Sequence, residues 1–130
     1  MDESAFTAAF CDFIRACVPS FEAAAVLACM AREPQRSWSA AGISERLHAS
    51  VSITTPEVER SLDLFATRGL VARSADGSAQ FKPSGYLQEA HARTLAQAYE
   101  EKPVTLVQLI YALREDRLRT FSDAFRLRKD

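Results

Sequence analysis

Between Trp38 and Pro83 the chain passes through a helical pattern, a turn, a second helical pattern and a hairpin signal, in that order. Ser39 suits the N-cap of a helix from Ala40 to about His48, with Ile43 and Leu47 one turn apart and turned inward. Ala49–Ile53 is the connecting turn. Thr54-x-x-Glu57 then matches a capping box, and Pro56 falls in the first helical turn, where a missing N–H costs nothing. The spacing predicts a second helix over 54–68. Val58, Leu62 and Phe65 fall on one side of it, and Arg60, Asp63 and Thr67 on the other, with Glu59 and Leu64 at the borders. Gly69 stands where a helix C′ glycine belongs. Residues 70–83 then read as a hairpin, with Asp76-Gly77 at its tip.

That succession is the sequence shape of a winged helix-turn-helix, whose second helix enters a DNA groove. The expected fold class is therefore mainly α with a small β-hairpin wing, a winged helix-turn-helix carrying additional N- and C-terminal helices. Residues 4–18 repeat Phe6, Phe10, Phe13, Ile14 and Cys17 at helical steps, and Pro19 stops them. Ser20 caps an alanine-rich helix that ends near Arg32-Glu33 and should be buried on most sides. A further helix is expected from Tyr86 to Glu101, with Leu87, Ala90, Leu95, Ala98 and Tyr99 inward. Val104–Tyr111 fits a strand or a helix. Arg114–Asp130 is amphipathic, with Leu118, Phe121, Phe125 and Leu127 against its basic residues. With no linker or repeat, 1–130 reads as one domain: a core at about 20–85 and a helical extension at 86–130 serving dimerisation.

Charge works against the simplest version of this picture. Sixteen basic and 17 acidic residues leave a net charge of −1, so the chain has no global attraction for phosphates. Residues 1–70 hold 6 basic and 9 acidic side chains and residues 71–130 hold 10 and 8, which places any positive surface in the wing and the C-terminal part, or in a dimer that gathers arginines.

Other classes find little footing. No Ser/His/Asp order, paired carboxylates or glycine-rich phosphate loop is evident among only four glycines, so an enzyme is not expected. His48 suits a C-terminal cap better than a catalytic base. Cys11, Cys17 and Cys29 are odd in number, form no CxxC and lie in apolar surroundings; free thiols are expected, with no metal and no cofactor. No apolar run approaches the roughly 20 residues of a membrane span. The acidic Met1-Asp2-Glu3-Ser4 start lacks the positive region of a secretory signal, and a cytoplasmic protein is expected.

Ile43-Ser44-Glu45-Arg46-Leu47 and the run from Pro56 to Val71, with its Val58-x-Arg60-x-Leu62 … Gly69-Leu70-Val71 ending, resemble bacterial winged helix-turn-helix regulators of the MarR-like kind. The likeness covers roughly residues 20–85. It implies a homodimeric transcription regulator whose partner is double-stranded DNA. In that reading Ser52, Thr54 and Thr55 meet phosphate or base edges at the N-terminus of helix 54–68. Arg60 meets a guanine or a phosphate, Thr67 shares the same face, and Arg73 and Lys82 reach phosphates from the wing. Glu57, Glu59 and Asp63 on that helix oppose it and support an alternative, a winged-helix adaptor that docks a protein partner without DNA.

Overall fold

The computed structural model describes residues 6–115. It is mainly helical with one small antiparallel sheet. In chain order the elements are α1 (Ala8–Cys17), α2 (Phe21–Arg32), β1 (Ser37–Trp38), α3 (Ala40–Leu47), α4 (Thr55–Thr67), β2 (Val71–Arg73), β3 (Ala79–Phe81) and α5 (Tyr86–Glu101). A further helix, α6, covers residues 103–115. The expected amphipathic stretch with Leu118, Phe121, Phe125 and Leu127 lies outside the described residues.

Four helices start where a hydroxyl satisfies an orphan N–H. Thr7 accepts from Phe10 N, Ser20 from Ala23 N, Ser39 from Gly42 N and Thr54 from Glu57 N. α2 is the centre of the molecule: every residue from Ala23 to Ala31 is buried, and α5, α3 and α4 all pack on it. Small alanines let these helices approach closely. α1 joins the stack through Phe10 and Phe13, whose rings lie 6.1 and 5.3 Å from His91 of α5.

The 86–101 helix is present, and its expected inward face holds at Leu95, Ala98 and Tyr99 but not at Leu87 and Ala90. Ala92, Leu95, Ala96 and Ala98 are buried, whereas Leu87 is 61% exposed and Ala90 is exposed. Contact with alanine-lined α2 selects a stripe of small residues, and hydrophobicity alone does not rank alanine above leucine. The ambiguous 104–111 segment is helical. Pro103 opens it, and Leu106, Leu109, Ile110 and Leu113 recur at helical spacing as its buried side, while Val104 and Tyr111 stay exposed.

The sheet has three strands in the order β1-β3-β2, all antiparallel, with Trp38 opposite Ala79 and Val71 opposite Phe81. β1 went unforeseen, because two residues between Arg36 and Ser39 carry no alternation to read. Its pairing anchors the hairpin to the turn before α3, and Gln80 Nε2 adds a bond to the Pro34 carbonyl at 3.3 Å.

Candidate nucleic-acid interface

α4 is held from one side only. Val58, Leu62 and Phe65 are each 0% exposed and fix it on the core. The opposite side, from Thr54 and Thr55 through Arg60 and Asp63 to Thr67 and Arg68, faces solvent, as does Ser52 in the preceding turn. Binary patterning thus produces a polar helix face that stays exposed, with Arg73 of β2 reaching its edge at Glu59 and Asp63.

The start of α4 is rigidly built. Thr54 Oγ1 accepts from Glu57 N at 3.3 Å, and Thr54 N donates back to Glu57 Oε1 at 2.9 Å. The Thr54 hydroxyl also donates to Glu57 Oε1 at 2.9 Å. The Thr54 backbone N–H, and then its hydroxyl, hold the Glu57 carboxyl below its ordinary range. A carboxyl whose folded pKa is lowered stabilises the fold above its unfolded pKa, and that stabilisation is lost as pH falls through the folded value. Thr54→Ala should therefore lower stability by about 1 kcal/mol at neutral pH. Thermal melts should show the gap between wild type and variant narrowing once acid has protonated Glu57.

The end of α4 is equally defined. Gly69 takes φ +76°, and its N–H donates to Ala66 O at 3.2 Å while Leu70 N donates to Phe65 O at 2.8 Å. Ser84 N then donates to Gly69 O at 2.7 Å and Gln88 Nε2 to Arg68 O at 2.8 Å, tying the start of α5 to the same corner.

Arg73, expected to reach a phosphate from the wing, is engaged by groups of the protein itself. β2 runs beside α4, and the guanidinium forks between two carboxylates one turn apart, at 2.9 Å from Glu59 Oε1 and 3.0 Å from Asp63 Oδ1. Nη2 also donates to Gly77 O at 2.6 Å, and the buried Nε has no partner among the described residues. The side chain is only 21% exposed. A planar fork fits two carboxylates better than an ammonium would, and it makes Arg73 a strut between wing and helix. These half-exposed pairs contribute about 0–1 kcal/mol each, so their value is in orientation.

The other expected residues divide by exposure. Ser52, Thr55, Arg60 and Lys82 are exposed, and Arg60, Arg68 and Lys82 form no ion pair among the described residues. Thr67 is exposed, although its hydroxyl already donates to Asp63 O at 3.0 Å. At the wing tip Asp76 Oδ1 accepts from Ser78 N at 2.9 Å and Ser78 Oγ at 2.7 Å, closing the turn around Gly77 at φ +89°.

The acids of this surface thus have structural duties: Glu57 caps α4, Glu59 and Asp63 hold Arg73, and Asp76 closes the wing tip. Glu59 and Asp63 were legible as acids that oppose a phosphate partner, but Arg73 was not legible as the cation they hold. The i, i+4 acid pair followed by an arginine on the next strand was the available signal. Formal charge over residues 54–83 still balances, four cations against four acids. Among the described residues no helix is long and apolar enough to cross a membrane by itself. Comparison with protein-family models, with curated proteins and with solved structures finds no match to this chain.

Proposed function

We propose that the protein is a winged helix-turn-helix regulator of transcription that reads double-stranded DNA with α4 and flanks it with the β2–β3 hairpin. The observation that carries this reading is the one-sided burial of α4. A helix fixed on the core by Val58, Leu62 and Phe65 offers an uncovered face with Thr54 and Thr55 at its N-terminus and Arg60 and Arg68 along it. α3 packs against α4 as the first helix of such a pair does, and Arg73 sets the wing beside it. Arg60, Arg68 and Lys82 are the phosphate or base contacts, Ser52, Thr54, Thr55 and Thr67 the polar ones, and Arg73 positions rather than touches.

The functional unit in this reading is a cytoplasmic homodimer formed through residues 86–130, which brings two α4 helices to half-sites about one helical turn apart. Exposed Val104 and Tyr111 on α6, and Tyr86 and Leu87 at the start of α5, support a partner on that part of the chain. A second reading, a protein-binding adaptor, draws on the balanced charge of residues 54–83, which offers little non-specific pull on DNA.

Fluorescence anisotropy with a labelled random duplex separates the two. Arg60→Ala combined with Lys82→Ala should weaken binding about tenfold at low salt and leave the melting temperature within error, since both side chains are exposed and form no ion pair among the described residues. An unchanged affinity in the double variant would remove α4 and the wing from the interface.

A further inference from the structure

The described residues end beside a groove. Leu113 and Arg114, in the last turn of α6, gather with Ile14, Val18 and Pro19 where α1 gives way to α2. Pro19 also lines a groove of about 370 Å³ between the start of α2 and α4. Ala23, Ile53 and Leu64 supply the rest of its apolar lining. Pro19 is exposed and Leu64 only half-buried, so part of that lining stands in water. Glu22, Glu57 and Arg60 supply its charges, and two carboxylates against one guanidinium leave a net negative charge. Glu22 is exposed and forms no ion pair among the described residues.

Residues 116–130 carry the complement of this lining. Leu118, Phe121 and Phe125 recur at three- and four-residue steps, and Leu127 adds a further apolar side chain. Arg117, Arg119, Arg126, Arg128 and Lys129 stand against Asp116, Asp123 and Asp130, so the segment has a net charge of +2, opposite in sign to the groove. Its position in the chain completes the match. The segment leaves the fold at Glu115, directly after the Arg114 that gathers with Pro19 at the end of the groove. Even at the helical rise of about 1.5 Å per residue it reaches about 22 Å, roughly twice the width of a helix.

We propose that residues 116–130 dock into this groove of their own chain, with Leu118, Phe121 and Phe125 against Ile53 and Leu64 and basic side chains toward Glu22 and Glu57. Apolar burial drives the contact and charge orients it. The net negative charge of the groove disfavours a nucleic-acid phosphate as its occupant. Docked there, the segment lies along the flank of α4 and brings positive charge beside a surface on which residues 54–83 balance. The contact stands whether DNA or a protein meets α4, and it leaves the exposed Val104 and Tyr111 to the homodimer.

The test places a nitroxide on the full chain at Thr120→Cys, which falls opposite Leu118, Phe121 and Phe125 on a helical wheel. Cys17 and Cys29 are buried, and half-buried Cys11 is replaced by serine to keep the label at one site. The amide signals of Ile53, Ser61 and Leu64 should broaden more than those of Leu87 and Val104. Phe121→Ser combined with Phe125→Ser should abolish that difference. Leu64→Arg, which puts a cation among the apolar walls, should abolish it at Ile53 and Ser61 as well. A mixture of isotope-labelled chain without nitroxide and unlabelled chain with it should show no broadening at the groove. The proposal is overturned by no broadening at the groove, by broadening centred on Leu87 and Val104, or by broadening that survives either variant. Broadening in the mixture also overturns it, since the groove would then hold the segment of a second copy. Should Leu64→Arg fail to fold, the serine pair decides between the same outcomes.

Discussion

Phe65→Ala should destabilise the protein by about 3–5 kcal/mol, the usual cost of emptying a phenylalanine site in a packed core. Phe65 is 0% exposed, on the same face of α4 as Val58 and Leu62, and its carbonyl also accepts the Leu70 N–H that closes the helix. A domain of this size is stable by about 5–15 kcal/mol, so the loss is a large part of the whole. The contrast is Arg60→Ala, five residues earlier on the same helix, which should stay within about 0.5 kcal/mol because that side chain is exposed and unpaired among the described residues. Urea denaturation of the pair measures both faces of α4. Similar losses from the two would mean that the outward face is packed against something and is not free for a partner.

Gly69→Ala carries the next largest effect, about 1–3 kcal/mol from backbone strain alone. At φ +76° any Cβ is disfavoured, and here it would stand 2.8 Å from Ser84 Oγ. Ser84 donates to Gln88 Oε1 at 2.7 Å, and Gln88 holds the Arg68 carbonyl, so relief of the clash shifts the corner where α4, the hairpin and α5 meet. Gly77→Ala is the matched control. Its φ of +89° imposes comparable strain, but nothing lies within 4 Å of the added carbon. Chemical denaturation should therefore show Gly69→Ala as the more damaging of the two. Equal losses would leave the Ser84–Gln88 corner without a role in holding the wing.

The parts of this architecture that could be read from sequence are those encoded locally. Thr54-x-x-Glu57 with Pro56 determines its own helix start, Gly69 its own helix end, and Asp76-Gly77 its own turn, because each depends on neighbours within a few residues. The core face of α4 follows from the period of Val58, Leu62 and Phe65. What escaped reading depends on contacts across the chain. β1 exists only because β3 pairs with it, and the alanines of α2 bring Ala92 and Ala96 of α5 inward beside Leu95 while Leu87 stays outside. The pairing of Arg73 with Asp63 and Glu59 was hidden because those carboxylates lie 10 and 14 residues away on another element.

The most direct measurement is the salt dependence of binding to a random duplex of about 20 base pairs. If α4 and the wing engage phosphates through Arg60, Arg68 and Lys82, the logarithm of the binding constant should fall with the logarithm of salt at a slope of about −3 per chain. Arg60→Ala should make that slope shallower by about one. Absence of binding even at the lowest salt, or an affinity that salt leaves unchanged, would contradict DNA as the partner of this face.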